Sequence, residues 1–224
     1  MLNLLISIIY LICTFTITCI CYKKYGRIGL FVWMCVSTII CNIQTVKLID
    51  LFGLTTCLGN ISYGAIFLTN DILSEMYGEK EARKAIILSF FTLLIFTASM
   101  ILCLKYVPSS ADTANDSLKV VFSFLPRFTI ASLINCILSQ LIDARVYKIL
   151  KKKYNKIWIS NNGSTIVSQI TDTLIFIVIS FAGLVPFVDL LEMILTTLLF
   201  KVIIAFLDTP FLYFASKIKN NGEL

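Results

Sequence analysis

The sequence predicts an all-α polytopic integral membrane protein, a helical bundle of seven transmembrane helices, and three observations predict it. Of the 224 residues 58% are hydrophobic and only 14% charged, and mean hydropathy is +0.90, values outside the range of a water-soluble domain. Apolar windows of about 20 residues, each long enough to cross roughly 30 Å of hydrocarbon as a helix, follow one another along the chain. Lys and Arg fall in short clusters in alternate gaps, the pattern that orients spans.

The first window, Leu2 to Tyr22, carries no charge and is followed, not preceded, by Lys23, Lys24 and Arg27. A signal peptide has its basic residues in front and a small-residue cleavage site behind, so this reads as a retained helix. The second window runs from Gly29 to about Ile49, with Asn42, Gln44 and Lys47 in its later half. The third, about Leu54 to Tyr77, is interrupted by Gly59, Asn60, Gly64, Asn70, Asp71 and Glu75, the composition of a broken or re-entrant segment sheltered by other helices. Ala85 to about Tyr106, Phe128 to Tyr147, Ser164 to Phe187 and about Met193 to Ala215 complete the seven.

The basic clusters are Lys23, Lys24 and Arg27; Lys80, Arg83 and Lys84; Arg145, Lys148, Lys151, Lys152, Lys153 and Lys156; and Lys217 with Lys219. The opposite gaps hold little more than Lys47, Lys119 and Arg127. The positive-inside rule therefore places the C-terminus in the cytoplasm and the N-terminus outside. The acidic loop 107–121 is then external.

The net charge of +6 lies in these clusters and reads as a topology signal, not as a nucleic-acid surface. Eight Cys sit mostly within apolar runs without a CxxC pair, and read as reduced fillers of helix surface. With no His the chain lacks the commonest metal ligand and general base, so no metal or cofactor is expected. There is no GxxxxGK[ST], HExxH or GxSxG, and an enzyme is not expected.

Polar residues inside the apolar windows carry the functional signal. "SQLID" at 139–143 and "SQITD" at 168–172 recur on consecutive helices. On a helix Thr165, Ser168, Gln169 and Asp172 share one side, as do Asn135, Ser139, Gln140 and Asp143. Ser, Asn and Gln there serve as interhelical glue as readily as ligands. Carboxylates are different, since a charge at mid-membrane costs about 2.5–3.5 kcal/mol even on lenient scales. Asp172 and Lys201 lie at similar depths and are suited to neutralise one another, either as a substrate site or as a structural pair. Asp143 and Asp208 fall nearer the cytoplasmic end, where Arg145 and Lys148 can solvate them. Glu75 is placed to pair with Arg83 or Lys84, while Asp71, deeper and beside Asn70, is the better ligand candidate.

"FLTNDILSEMYGEKEARKAI", "ASLINCILSQLIDARVY", "NNGSTIVSQITDTLIF" and "KVIIAFLDTPFLY", in that order and spacing, resemble the queuosine precursor transporters, the VUT family of bacterial inner-membrane proteins. The resemblance covers about Gly29 to Ala215. It implies a six-helix core, residues 29–224, preceded by the extra N-terminal helix and basic loop of longer members, residues 1–28. It also implies import of a 7-deazaguanine, such as 7-cyano-7-deazaguanine (preQ0), preQ1 or queuine, for salvage into tRNA queuosine. The family is similar at a distance to substrate-binding subunits of energy-coupling-factor transporters. A separate ATPase module or a homo-oligomer therefore stays open as a partner, and a membrane assembly factor remains the rival outside transport.

By motif, Asp71, Gln140, Asp143, Ser164, Asp172 and Lys201 fall at the family's polar positions. A guanine-like ring offers an N–H and an amino group side by side to one carboxylate, and a carbonyl to a donor. The expectation is that Asp71 or Asp172 grips the amino edge with Asn70, Gln140, Gln169 and Lys201 around it. Tyr63, Phe67, Phe176 or Phe181 would form the ring's slot. Glu75, Asp143, Ser164 and Asp208 take structural or coupling roles.

Overall fold

A computed structural model describes residues 2–154 and 157–217, without the side chains of Gln140, Asp143, Ala144, Lys151, residues 157–162 and Thr165. Lys156 and Lys219 of the basic clusters lie outside the described residues.

The chain opens with α1 (Leu2–Thr45). Gly26 interrupts it with φ 56° and ψ −136°, a backbone region that essentially only glycine enters, and the chain turns back on itself there. Trp33 Nε1 donates to Thr18 Oγ1 at 2.8 Å, and the Tyr10 hydroxyl to Gln44 Oε1 at 3.3 Å. A straight helix would hold those pairs roughly 22 and 51 Å apart at about 1.5 Å per residue. So the first two windows are antiparallel limbs, residues 2–25 and 27–45. A Cβ on Gly29 would meet the Cys21 carbonyl oxygen at 2.5 Å, which is how closely the limbs meet past the turn.

The next stretch corrects the sequence expectation. Instead of a second span running to about Ile49 and a third starting near Leu54, β1 (Leu48–Leu51) and β2 (Leu54–Cys57) form an antiparallel hairpin. Phe52 and Gly53 make its two-residue turn with φ of 57° and 78°, the positive angles that a tight hairpin needs. The strands hold there because their backbone finds partners on a later helix. The Thr55 N–H donates to Glu192 Oε2 at 2.8 Å, and Thr196 Oγ1 donates to the Thr55 carbonyl at 3.3 Å.

α2 (Gly59–Tyr77) is continuous, not broken, and stops at Gly78, whose φ is 87°. Its polar residues are tolerated because they turn toward other helices: Asn60 Nδ2 donates to Thr197 Oγ1 at 2.8 Å, and Ser62 bonds Gln44. A Cβ on Gly59 would lie 2.1 Å from Thr45 Oγ1, so only glycine lets α2 start this close to α1. α3 (Glu79–Cys103), α4 (Asn115–Phe122), α5 (Leu125–Tyr154), α6 (Ile157–Phe181) and α7 (Phe187–Lys217) follow. The short α4 lies partly in the stretch read as a loop. α5 continues as helix through much of the basic cluster that follows "SQLID".

Among the described residues, four helices suit a membrane crossing by length and composition: α1, α3, Asn115–Ser139 and α7, with a shorter apolar stretch at Ile166–Phe181. The all-α membrane class holds, with one small sheet. Large apolar side chains point outward, among them Ile9, Ile87, Phe91, Ile137, Val202 and Phe206, a surface too extensive for water. The interior instead holds Thr14, Thr18, Thr38, Thr69, Ser89 and Thr97. Thr97 and Thr129 bond across α3 and α5 at 2.8 Å, the polar glue expected where lipid gives helices no hydrophobic reason to associate.

The turns at Gly26 and Gly78 share one end of the bundle, where Arg27 meets Glu81 at 3.2 Å. Lys84 also pairs with Glu81, and Arg83 with Glu79. Glu75, expected to take Arg83 or Lys84, makes no ion pair with them. Arg127 donates to the carbonyls of Ile179 and Ala182, both at 2.6 Å, at the C-terminal end of α6, where helix carbonyls run out of intrahelical donors.

The reversal at Gly26 yields a test. Gly26→Ala places a Cβ in a backbone region costing about 1–3 kcal/mol for a non-glycine residue, and lowers the thermal unfolding midpoint of the purified protein in detergent. An unchanged midpoint would show that the limbs do not turn there.

Candidate functional site

Six helical segments turn one face each toward a common cavity of about 260 Å³. The second limb of α1 supplies Thr38, Cys41, Asn42 and Thr45; α2 supplies Asn60, Tyr63, Phe67 and Asn70. α5 contributes Ser132, Asn135 and Ser139, α6 Gln169, Asp172 and Phe176, α7 Thr197 and Lys201, and α3 Ser89 and Phe90. In α2, α5, α6 and α7 the named residues are three or four apart, the spacing of a single helix face. Residues 2–25 contribute nothing to the wall.

At the polar side the carboxylate of Asp172 is held twice. Lys201 Nζ pairs with Oδ2, and Asn135 Nδ2 donates to Oδ1 at 2.7 Å. Asp172 and Lys201 are both mostly buried, their side chains 17% and 13% exposed. Buried ionic groups survive in this way, since an attractive partner and remaining hydrogen bonds together offset the loss of hydration. On the apolar side Tyr63 and Phe67 meet edge to face with centroids 4.7 Å apart, and Phe176 stands on α6. A planar ring with polar edges fits such a chamber.

Of the expected ligand residues, Asn70, Gln169, Asp172 and Lys201 come together here. Gln140 and Asp143 lie on α5, and their side chains are outside the described ones. Asp71 does not line the chamber. It follows Asn70 on α2 and lies within electrostatic reach of Asp208 on α7. Asp208 is buried, 6% exposed, and among the described residues neither acid forms an ion pair. Arg145 and Lys148 therefore do not solvate Asp208 as the sequence suggested. Ser164 is buried in α6. Phe181 packs on Phe128 away from the chamber.

The sequence reading passed over Asn42, Asn60 and Asn135 as ligands. Their signal was spacing: Asn42 lies one turn from Thr38 and Thr45, and Asn135 one turn from Ser132 and Ser139. Four wall residues leave an amide oxygen buried with no partner among the described residues, namely Asn42, Asn70, Asn135 and Gln169.

A family model described as "Putative vitamin uptake transporter" matches residues 57–215. A "Probable queuosine precursor transporter" of Bacillus subtilis (strain 168) is 41% identical over 219 residues, 96% of each chain. The chain belongs to the queuosine precursor transporter (VUT) family. A second "Probable queuosine precursor transporter", from Haemophilus influenzae, is 27% identical over 58% of this chain and 54% of its own. The "Queuosine precursor transporter" of Escherichia coli K12 is 27% identical over 59% of this chain and 58% of its own. No solved structure matches. As a member of this VUT family the chain is a multi-pass membrane transporter and not an enzyme. The family match spans α2 to α7 and so includes five of the six segments that wall the chamber.

The double hold on Asp172 can be tested by unfolding in detergent. Lys201→Met strands a buried carboxylate and costs about 3–5 kcal/mol, and adding Asp172→Asn to it recovers most of that loss. A double variant no more stable than Lys201→Met would show that the two residues are not partners.

Proposed function

We propose that this chain imports a queuosine precursor of the 7-deazaguanine class, 7-cyano-7-deazaguanine, preQ1 or queuine, across a bacterial inner membrane for tRNA queuosine salvage. The observation that carries this reading is the chamber itself: one buried carboxylate–ammonium pair, several amides and an aromatic wall, in a chain 41% identical over nearly its full length to a relative named for that cargo. A fused heterocycle with N–H groups along one edge and a carbonyl along another takes acceptors, donors and a flat apolar slot together. Asn70, Gln169, Asp172 and Lys201 bind the edges in this reading, with Tyr63, Phe67 and Phe176 against the ring. Gln140 is assigned to the same site from its place in the family motif.

The arrangement in the membrane follows the same reading. The two limbs of α1 cross separately, which with α2, α3, α5, α6 and α7 makes seven spans. The six after Gly26 are the transporting core, since residues 2–25 stay off the chamber wall. The turns at Gly26 and Gly78, with their basic residues, face the cytoplasm, and the N-terminus faces outward. Asp208, with Asp71 beside it, is the coupling position: a buried acid without a cationic partner is suited to take a proton or metal cation from a gradient. Glu75, Asp143 and Ser164 remain scaffold.

In a precursor-auxotrophic bacterium expressing the chain, at least one of the three precursors fed singly restores tRNA queuosine, and Asp172→Asn abolishes the rescue at unchanged protein abundance. Failure of all three at good expression refutes the cargo assignment. Equal loss of rescue and abundance in the variant makes Asp172 scaffold. In liposomes holding the purified chain alone, Asp208→Asn keeps precursor binding and loses accumulation against a gradient. Binding without transport by the unaltered chain would instead indicate a subunit needing a separate ATPase.

A further inference from the structure

Two of the chamber's amides can be assigned an orientation that most buried amides cannot. The oxygen and nitrogen of Asn or Gln are told apart only by their hydrogen-bond partners, and here two amide nitrogens are committed to acceptors. Asn42 Nδ2 donates to the Thr38 carbonyl at 2.9 Å, and Asn135 Nδ2 to Asp172 Oδ1 at 2.7 Å. A carbonyl or carboxylate oxygen accepts only, so neither can be flipped without setting oxygen against oxygen. The free atom of each is therefore its carbonyl oxygen, and in both that oxygen is buried without a partner among the described residues. Asn42 and Asn135 are 6% and 7% exposed. Buried acceptors left open are uncommon, and two so fixed on the wall of one cavity ask for a common explanation.

We infer that the carbonyl oxygens of Asn42 and Asn135 are acceptors that read N–H groups of the cargo, and that Asp172 acts as a positioning residue that locks the Asn135 amide. This rests on the proposed function and deepens it, because Asp172, counted there among the edge contacts, becomes the residue behind the contact. The ligand is defined by chemistry: a flat heterocycle with an uncharged ring carrying at least two N–H groups. A deazaguanine meets this, with its ring N–H, its exocyclic amino group and its pyrrole N–H. The Asp172–Lys201 pair keeps the described wall without net charge, which suits a neutral ring.

The test uses the purified full-length chain in nanodiscs and measures binding of 7-cyano-7-deazaguanine, its 2-desamino analogue and its pyrrole-N-methyl analogue. The unaltered protein should favour the parent on the order of 10- to 100-fold over each analogue, the penalty for leaving a buried acceptor unmet. In Asn42→Leu and Asn135→Leu, parent affinity should fall while at least one analogue penalty shrinks toward unity, a change in ratio that mere loosening of the fold does not produce. Equal binding of parent and analogues by the unaltered protein overturns the inference without recourse to any variant. So do variants that weaken all three ligands alike, as water-filled acceptors would. A protein that binds no deazaguanine sinks the proposed function as well, whereas one that binds parent and analogues alike sinks only this assignment.

Discussion

A carboxylate set among lipid-facing helices has to be answered from within the protein, and the contact of Asp172 with Lys201 and Asn135 is the answer on which the chamber depends. It ties α5, α6 and α7 together at one point. Without Lys201 the acid would be stranded, and without the acid both Lys201 and the Asn135 amide would lose their anchor. In hydrocarbon the alternative to such a partner is an unsatisfied charge, so the three helices are held by the cost of separating them more than by shape.

Around that point the bundle is built with polarity toward its own interior. Thr, Ser and Asn line helix–helix contacts while Ile, Leu and Phe face outward. Bonds such as Trp33 to Thr18 and Asn60 to Thr197 set which faces meet, and Gly59 and Gly64 let α2 lie close against α1. The chamber arises where these faces carry groups larger and more polar than packing needs.

Much of this was legible in the sequence, for physical reasons that differ by element. The apolar windows located the helices because hydrocarbon thickness fixes their length, and matched depth alone paired Asp172 with Lys201. The hairpin at Leu48–Cys57 was not legible: short apolar runs read equally as helix or strand, and the partner that stabilises it, Glu192, lies 137 residues from Thr55. Asp71 was misplaced by a single position, since one residue on a helix is a rotation of about 100°, enough to move a side chain from the chamber to the α7 contact. Asn42 and Asn135 looked like ordinary glue because only tertiary structure reveals which end of an amide is already taken.

The neutral wall also decides where a voltage across the bilayer can act. Moving one elementary charge through 100 mV is worth about 2.3 kcal/mol. Lys201 and Asp172 cancel within the wall, so rocking the chamber from one face to the other displaces no net charge through the described lining. Under the proposed coupling role of Asp208, electrical work falls on the acids of α2 and α7 instead, and the step that sees the field is separated in space from the step that sees the solute.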